Sequence, residues 1–282
     1  MNIEQAYAEC RKKLSSIEDI DTAFEALSLM NKAFGITRTD IIAYGTREID
    51  SEKLTLLNSL INRRLEGEPL QYILGSWSFC GFDFFVGEGV LIPRDDTEVV
   101  VNLCLEFLKN RQSKKTLDLC SGSGAIAIAL SKIANAKVTG VELSETAFEY
   151  LTKNISHNKA DVNAVKGDIL KCYTNFEDDT YDLIVSNPPY IKSDDIPHLQ
   201  KEVLKEPLMA LDGGKSGFDF YEQIIKFWTS KLKSGGALAF ELGEEQADYV
   251  KTLMEQAGFT DIKTELDFGN TQRAIIGTLR KI

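Results

Sequence analysis

The sequence predicts an α/β fold with a mixed, mostly parallel sheet, preceded by a small all-helical domain. Three observations carry that expectation. Over residues 1–75 apolar positions recur at helical spacing, as in Ile3, Tyr7 and Cys10, then Phe24, Leu27 and Leu29, then Leu54, Leu57, Leu60 and Ile61. From Pro93 onward short apolar strands alternate with amphipathic helices, the pattern that builds a parallel sheet. The last two strands, 262–266 and 273–278, have no helix between them, so a hairpin closes the sheet and makes it mixed.

Taken in order, Gly35 and Gly45 follow helical runs as stops, and Asp50 or Ser51 can cap the helix that contains Leu54 and Leu65. Next comes a stretch rich in aromatics and glycines, with Cys80-Gly81 between two extended runs, which reads as a β-hairpin linker over 76–92. Asp95 or Asp96 is a candidate cap for the helix that carries Val99, Val100 and Leu103. Further strands are expected at 116–119, 137–141, 181–185 and 237–242, and helices at 125–134, 147–157, 218–232 and 245–257. The division that follows is a helical domain over 1–75, a hairpin over 76–92 and an α/β domain over 93–282.

At 282 residues the chain is long enough for two domains. With 43% hydrophobic and 27% charged residues it has too much apolar material for disorder, and no apolar run long enough to span a membrane. The first residues show no apolar stretch before a cleavage site, so a cytoplasmic, mature protein is expected. Thirty-two basic against 43 acidic residues give a net charge of -11, which repels a polyphosphate backbone and argues against stable nucleic-acid binding. The five cysteines are scattered, with no C-x-x-C pair and only two histidines, so free thiols and no structural metal are expected.

Two constellations carry chemistry. The first is Leu117-Asp118-Leu119-Cys120-Ser121-Gly122-Ser123-Gly124, a strand running into a glycine loop that opens a helix and lets the backbone approach a ligand. Glu142, twenty residues after Gly122, stands at the end of the next strand, where a carboxylate can hold the two hydroxyls of a ribose. Gly122, Gly124 and Ala127 also satisfy a loose dinucleotide pattern, which keeps a nicotinamide enzyme in view. Asp118 opposes that reading, because its charge would repel a pyrophosphate but suits the ammonium group of S-adenosylmethionine. Ahead of the strand at 181–185, in Gly167-Asp168-Ile169, Asp168 can accept from an adenine amine while Ile169 packs on the ring.

The second constellation, Asn187-Pro188-Pro189-Tyr190, follows the strand at 181–185, at the end where open α/β sheets bind ligands. Its two prolines fix φ and remove two N–H donors, which leaves the Asn187 side-chain oxygen and the Pro188 carbonyl as acceptors. Such a pair can hold a planar NH2 group while Tyr190 stacks over it, so the substrate is an amide or an aminopurine.

The combination of Pro93-Arg94-Asp95-Asp96-Thr97-Glu98, the glycine loop from Asp118 to Leu130, Asn187-Pro188-Pro189-Tyr190 and Glu206-Pro207-x-x-Ala210-Leu211 resembles the protein-(glutamine) methyltransferases of peptide chain release factors. The likeness covers nearly the whole chain, including Tyr72-Ile73-Leu74-Gly75 and Gly217-Phe218-Asp219-Phe220-Tyr221. Two positions depart from the pattern: Cys120 stands where a first glycine is usual, and Lys205 precedes Glu206 where an aromatic is common. The resemblance implies a Rossmann-like class I methyltransferase that transfers a methyl group from S-adenosylmethionine to the glutamine of the Gly-Gly-Gln motif in class I release factors. It implies that Cys120, Ser121, Gly122, Ser123, Gly124, Glu142 and Asn187 contact the cofactor, that Thr97 lines its pocket, and that Asn187 to Tyr190 hold the amide. Residues 1–75 would then select the protein substrate, and the chain would act as a monomer. The enzyme alternative is an adenine amino-group methyltransferase on nucleic acid, which the net charge of -11 disfavours.

Overall fold

A computed structural model of the chain describes residues 1–281; Ile282, the end of the expected α/β domain, lies outside the described residues. The chain forms two compact units, Met1–Ser76 with Gln200–Lys205, and Trp77–Leu199 with the residues from Glu206 onward. The first unit therefore takes a short segment from late in the sequence.

That unit contains α1 (Ile3–Leu14), α2 (Thr22–Phe34), α3 (Arg38–Tyr44), α4 (Ser51–Leu65) and α5 (Leu70–Leu74). Local chemistry sets its helix ends. Asn2 and Gln5 close a capping box on α1, and the Asp21 carboxylate accepts from the Ala23 and Phe24 amides ahead of α2. Asp50 caps α4 by accepting from Glu52, so Ser51 is the first helical residue. Gly35 ends α2 with φ 71, whereas Gly45 keeps a right-handed φ of -53 and is no left-handed stop. The buried face of α2 is Ala26, Leu29, Met30 and Ala33, while Phe24 is exposed.

A hairpin follows, β1 (Ser76–Phe79) and β2 (Phe82–Phe85), which from Trp77 onward belongs to the second unit. Cys80 and Gly81 between them have φ of 50 and 79, the pair of left-handed residues that a two-residue hairpin of matching twist requires. Then follow α6 (Thr97–Leu108), β3 (Lys115–Leu119), α7 (Ala125–Ala134), β4 (Lys137–Glu142), α8 (Glu145–Asn158), β5 (Val162–Lys166) and β6 (Tyr181–Ser186). The chain continues through α9 (Leu208–Leu211), α10 (Asp219–Trp228), β7 (Leu232–Glu241), α11 (Ala247–Gln256), β8 (Phe259–Leu266) and β9 (Gln272–Leu279). The helix expected over 218–232 stops earlier, because a 3-10 turn over Thr229–Lys231 leads straight into β7.

Seven strands form one sheet in the order β5-β4-β3-β6-β7-β9-β8, parallel except where β9 runs antiparallel between β7 and β8. Strand alternation divides the core. Leu183 and Val185 pack with α6 and α7 on one face, whereas Leu117, Leu119, Ile184 and Phe240 pack with α10 and α11 on the other. Among the described residues no helix is long and apolar enough to cross a membrane.

Inside the first unit sits a buried ion pair. The Arg64 guanidinium, 3% exposed, meets Glu25 through two bonds of 2.8 and 3.0 Å, and Glu202 lies 3.0 Å from its Nη2. Removing the cation strands a buried carboxylate, which is far costlier than losing a half-exposed partner. Arg64→Ala should cost about 3–5 kcal/mol, and Glu202→Ala about 1 kcal/mol or less, both read by hydrogen exchange in α2 and α4.

Candidate active site

Register places the site. Leu119 at the end of β3 pairs with Val141 of β4 on one side and Ser186 of β6 on the other. The residues that follow, Cys120, Glu142 and Asn187, therefore emerge together at one edge of the sheet. The Ser186 hydroxyl donates to the Leu119 carbonyl at 2.6 Å and ties the two strand ends.

In the loop after β3 the backbone is left-handed at Cys120, Gly122 and Gly124, with φ of 61, 54 and 85. The Ser121 amide donates to the Val141 carbonyl at 3.0 Å, and the Gly122 amide to Glu142 Oε2 at 2.7 Å. Glu142 Oε1 accepts from Ser144 at 2.7 Å, so each carboxylate oxygen is held by one backbone amide while the side chain borders a cleft. This cleft is also bordered by Cys120, Gly122, Asp168, Ile169, Asn187, Pro189, Leu91, Pro207, Met209 and Phe220. Its mostly apolar wall with a few placed polar groups is that of a small-molecule site. Asp168 accepts from the Leu170 amide at 2.9 Å and pairs with Lys171 at 3.0 Å; partial burial pushes its pKa up, but these contacts outweigh it and hold the carboxyl below its usual range.

Other expected residues lie behind this wall. Ser121 and Ser123 are buried, and Gly124 opens α7. The Asp118 side chain turns to the face covered by α7, where Oδ2 accepts from the Ala127 amide at 3.2 Å and Oδ1 has no partner. Burial raises its pKa to about 7, against the Ser121 hydroxyl and the Ala127 N–H, with the Glu142 charge adding to the rise. Asp96 occupies the cap position of α6 but its side chain closes no capping bond, and its carboxylate lies 3.7 Å from Arg273.

Asn187 is half-buried and its Nδ2 stands 3.5 Å from the Thr97 hydroxyl, a long contact. Pro188 is buried. Tyr190 points its hydroxyl at Glu241 Oε1, 3.2 Å away, rather than into the cleft. Its carbonyl accepts from Gln246 Nε2 at 2.9 Å, and Gly213 packs so closely that a Cβ there would lie 2.6 Å from the Tyr190 Cα. Glu206 accepts from the Ile92 amide at 2.9 Å and pairs with Arg94, so two separate stretches of the sequence pattern meet in one bond network.

Sequence reasoning missed Glu241, Gln246 and Arg273. Glu241 carried a signal, since it interrupts the apolar run from Ala237 to Leu242. It is 2% exposed and its Oε2 has no hydrogen-bond partner. Gln246 and Arg273 carried none, because each acts through contacts distant in sequence, to the Tyr190 and Leu242 carbonyls.

A mostly parallel sheet with a glycine loop after its first strand, a carboxylate after the next, and Asn-Pro-Pro-Tyr at the switch between its halves defines a Rossmann-like methyltransferase. Residues 93–217 match the methyltransferase small domain, and residues 5–75 match the PrmC N-terminal domain. The release factor glutamine methyltransferase of Geobacter sulfurreducens is 40% identical over 253 residues, covering 89% of this chain and 87% of that protein. The protein of the same name from Clostridium acetobutylicum is 34% identical over 280 residues and 98% of both chains. A methyltransferase structure from Pyrococcus furiosus shares the fold, with TM-score 0.53 and 23% identity over 78% of this chain and 98% of its own. The chain belongs to the release factor glutamine methyltransferase family.

Asp118 provides a stability test. Its folded pKa lies above the ordinary value of 3.8, so its contribution to stability is complete below that value and is lost as pH rises through about 7. Asp118→Asn should match wild type near pH 4 and melt roughly 3 °C or more higher at pH 8, in scans without ligand.

Proposed function

We propose that this chain transfers a methyl group from S-adenosylmethionine to the side-chain amide nitrogen of the glutamine in the Gly-Gly-Gln motif of class I peptide chain release factors, and so modulates translation termination. The observation that carries this reading is the placement of Asn187 and Pro189 on the cleft that Glu142 and Asp168 border, in a chain of this family. We infer further that it works as a cytoplasmic monomer and that its helical unit selects the release factor.

The site suits such a cofactor on its own chemistry. The orphaned Oδ1 of Asp118 is a buried acceptor that an ammonium would satisfy, Glu142 and Asp168 are carboxylates for ribose hydroxyls and an adenine amine, and Ile169 is an apolar wall. Cys120 to Gly124 supply backbone at close range, and Thr97 supports the pocket from behind. When bound, the cofactor supplies an electrophilic methyl group on a sulfonium.

An amide nitrogen is a poor nucleophile because its lone pair is delocalised into the carbonyl. Asn187 Oδ1 and the Pro188 carbonyl accept its two N–H bonds, which favours localisation of the pair and fixes its direction. Pro189 and Tyr190 keep those acceptors rigid. No strong base is needed, since the methylated amide is cationic and sheds its proton readily.

The direct test is transfer of labelled methyl from S-adenosylmethionine to purified release factor, with a Gln→Ala control in its Gly-Gly-Gln loop and nucleic acid as a parallel substrate. Label in nucleic acid alone would replace the reading with amino-group methylation of a base. Asn187→Ala should fold and lose roughly two to three orders of magnitude in turnover, and turnover within threefold of wild type would remove Asn187 from its role. A second expectation concerns pH. Asp118 binds an ammonium only when ionised, so calorimetric affinity for S-adenosylmethionine should rise roughly fivefold between pH 6 and 7.5, and Asp118→Asn should abolish that rise.

A further inference from the structure

Residues 86–92 run from the β1–β2 hairpin to Pro93 as irregular chain, and α8 guides them toward the cleft. Going from Asp83 to Gly89, every second residue meets α8 about one turn nearer its start. The Asp83 carbonyl accepts from Asn158 Nδ2 at 3.0 Å, and the Phe85 backbone meets Asn154. A Cβ at Gly87 would overlap the Tyr150 hydroxyl, and one at Gly89 would lie 2.7 Å from Thr146 Cγ2, so glycine lets the chain lie this close to the helix. Val86, Val90 and Ile92 are buried, and Gly89 and Leu91 border the cleft.

Both ends of this segment are held by buried side chains. Asn154 Oδ1 accepts from the Phe85 amide at 2.7 Å and its Nδ2 donates to the Phe85 carbonyl at 3.1 Å, the two-bond exchange a neighbouring strand would make. Nδ2 also donates to the Ser123 carbonyl, at 2.9 Å, in the glycine loop. Two donors and one acceptor thus meet two carbonyls and one N–H, which fixes the orientation of the carboxamide. One side chain joins the start of the segment to the loop that carries Gly122. At the other end the Ile92 amide donates to Glu206 Oε2 at 2.9 Å, and Glu206 Oε1 pairs with Arg94. Glu206 is 5% exposed, and Pro207, Met209 and Ala210 after it form another part of the cleft border.

We propose that residues 86–92 are a strap that closes one side of the cofactor cleft, and that Asn154 and Glu206 are positioning residues that pin its two ends. This rests on the reading of the cleft as the S-adenosylmethionine site and deepens it with the means by which a ligand is retained there. With both pins in place the borders at Gly89, Leu91 and Gly122 are set before a ligand arrives, so binding orders little chain. The pins differ in how they open. Asn154 is sealed in the interior, whereas the Arg94 side chain that pairs with Glu206 is 39% exposed, and water can reach that pair. The Glu206 end is therefore the one that gives way when a ligand leaves.

Hydrogen exchange in the ligand-free full chain reads the pins directly. Asn154→Ala should speed exchange of the Phe85 amide, and Glu206→Ala that of the Ile92 amide, roughly tenfold or more, while amides in β6 and β7 keep wild-type rates. Stopped-flow release of S-adenosylhomocysteine reads the consequence. Each variant should release it roughly tenfold faster. In turnover with release factor, the rise in KM for S-adenosylmethionine should exceed any fall in kcat. Arg94→Gln alters a half-exposed side chain and carries the test if Glu206→Ala does not fold; it should speed release about threefold. Glu206→Gln keeps an acceptor for the Ile92 amide, so it should restore that amide's protection and part of the slow release lost in Glu206→Ala. Arg94→Gln combined with Glu206→Ala should release no faster than Glu206→Ala alone. Wild-type release from variants whose Phe85 or Ile92 amide has become exchangeable would overturn the proposal, as would unchanged exchange at both amides. A wild-type chain that binds no S-adenosylhomocysteine would instead overturn the cofactor assignment of the cleft, and the exchange rates would still show whether the segment is pinned.

Discussion

The site depends on one topological constraint, which is that β3 and β6 are hydrogen-bonded neighbours whose chains leave on opposite faces of the sheet. After β3 the chain enters α7, which packs with α6 against Leu183 and Val185. After β6 it reaches α10, which packs with α11 against Ile184 and Phe240. No connection can cover the gap between two departures of that kind, so a crevice opens beyond the strand ends. The pairing of Leu119 with Ser186 fixes the height at which both loops begin. A slip of one residue would exchange the faces of Asp118 and Leu119, and the carboxylate would enter the core of α10 and α11.

The same crevice explains why two carboxylates are tolerated where apolar side chains would cost less. Asp118 on β3 and Glu241 on β7 flank β6, and among the described residues their Oδ1 and Oε2 are the buried side-chain oxygens without a partner. Each such group costs about 1–3 kcal/mol, and neither closes an ion pair that would offset it. Asp182, on the same sheet at the opposite end of β6, shows the contrast. It is nearly as buried, yet it accepts from the Ser113 hydroxyl and the Lys115 amide and pairs with Lys233. Among the described residues the buried side-chain oxygens without a partner thus stand at the carboxyl end of the sheet, beside the crevice, which is where consistency between fold and sequence is expected to break.

Legibility in the sequence followed the range of the interaction. The glycine loop, Glu142 and Asn187 to Tyr190 were readable because each is a short strand followed at once by its turn, and strand ends in a parallel sheet converge without further information. The helical opening and closing hairpin were readable for the same reason. The capping role expected of Asp95 or Asp96 was not fulfilled through Asp96, because Arg273, far along the chain, draws its carboxylate away. Gln200–Lys205 joins the first unit through contacts such as Arg64 with Glu202, which no local pattern encodes. Glu241 was legible as an anomaly in an apolar strand, but its partner Tyr190 comes from another element.

Cys120 shows how local strain and site chemistry meet. Consecutive amides of Ser121 and Gly122 both point at the end of β4, to the Val141 carbonyl and to Glu142, and Cys120 before them has a left-handed φ of 61. A glycine would take that conformation freely, whereas a residue with a Cβ gives up roughly 1–2 kcal/mol. What the side chain returns is contact, since Cys120 borders the cleft and packs against the cluster that holds Leu119, Val141 and Ile169. A thiol beside an electrophilic methyl group would be a hazard as a thiolate. Burial is the largest cause that drives its pKa upward, and the neighbouring charges of Glu142, Asp118 and Asp168 push the same way. The carboxylates beside the cleft therefore also push the Cys120 thiol toward its neutral form.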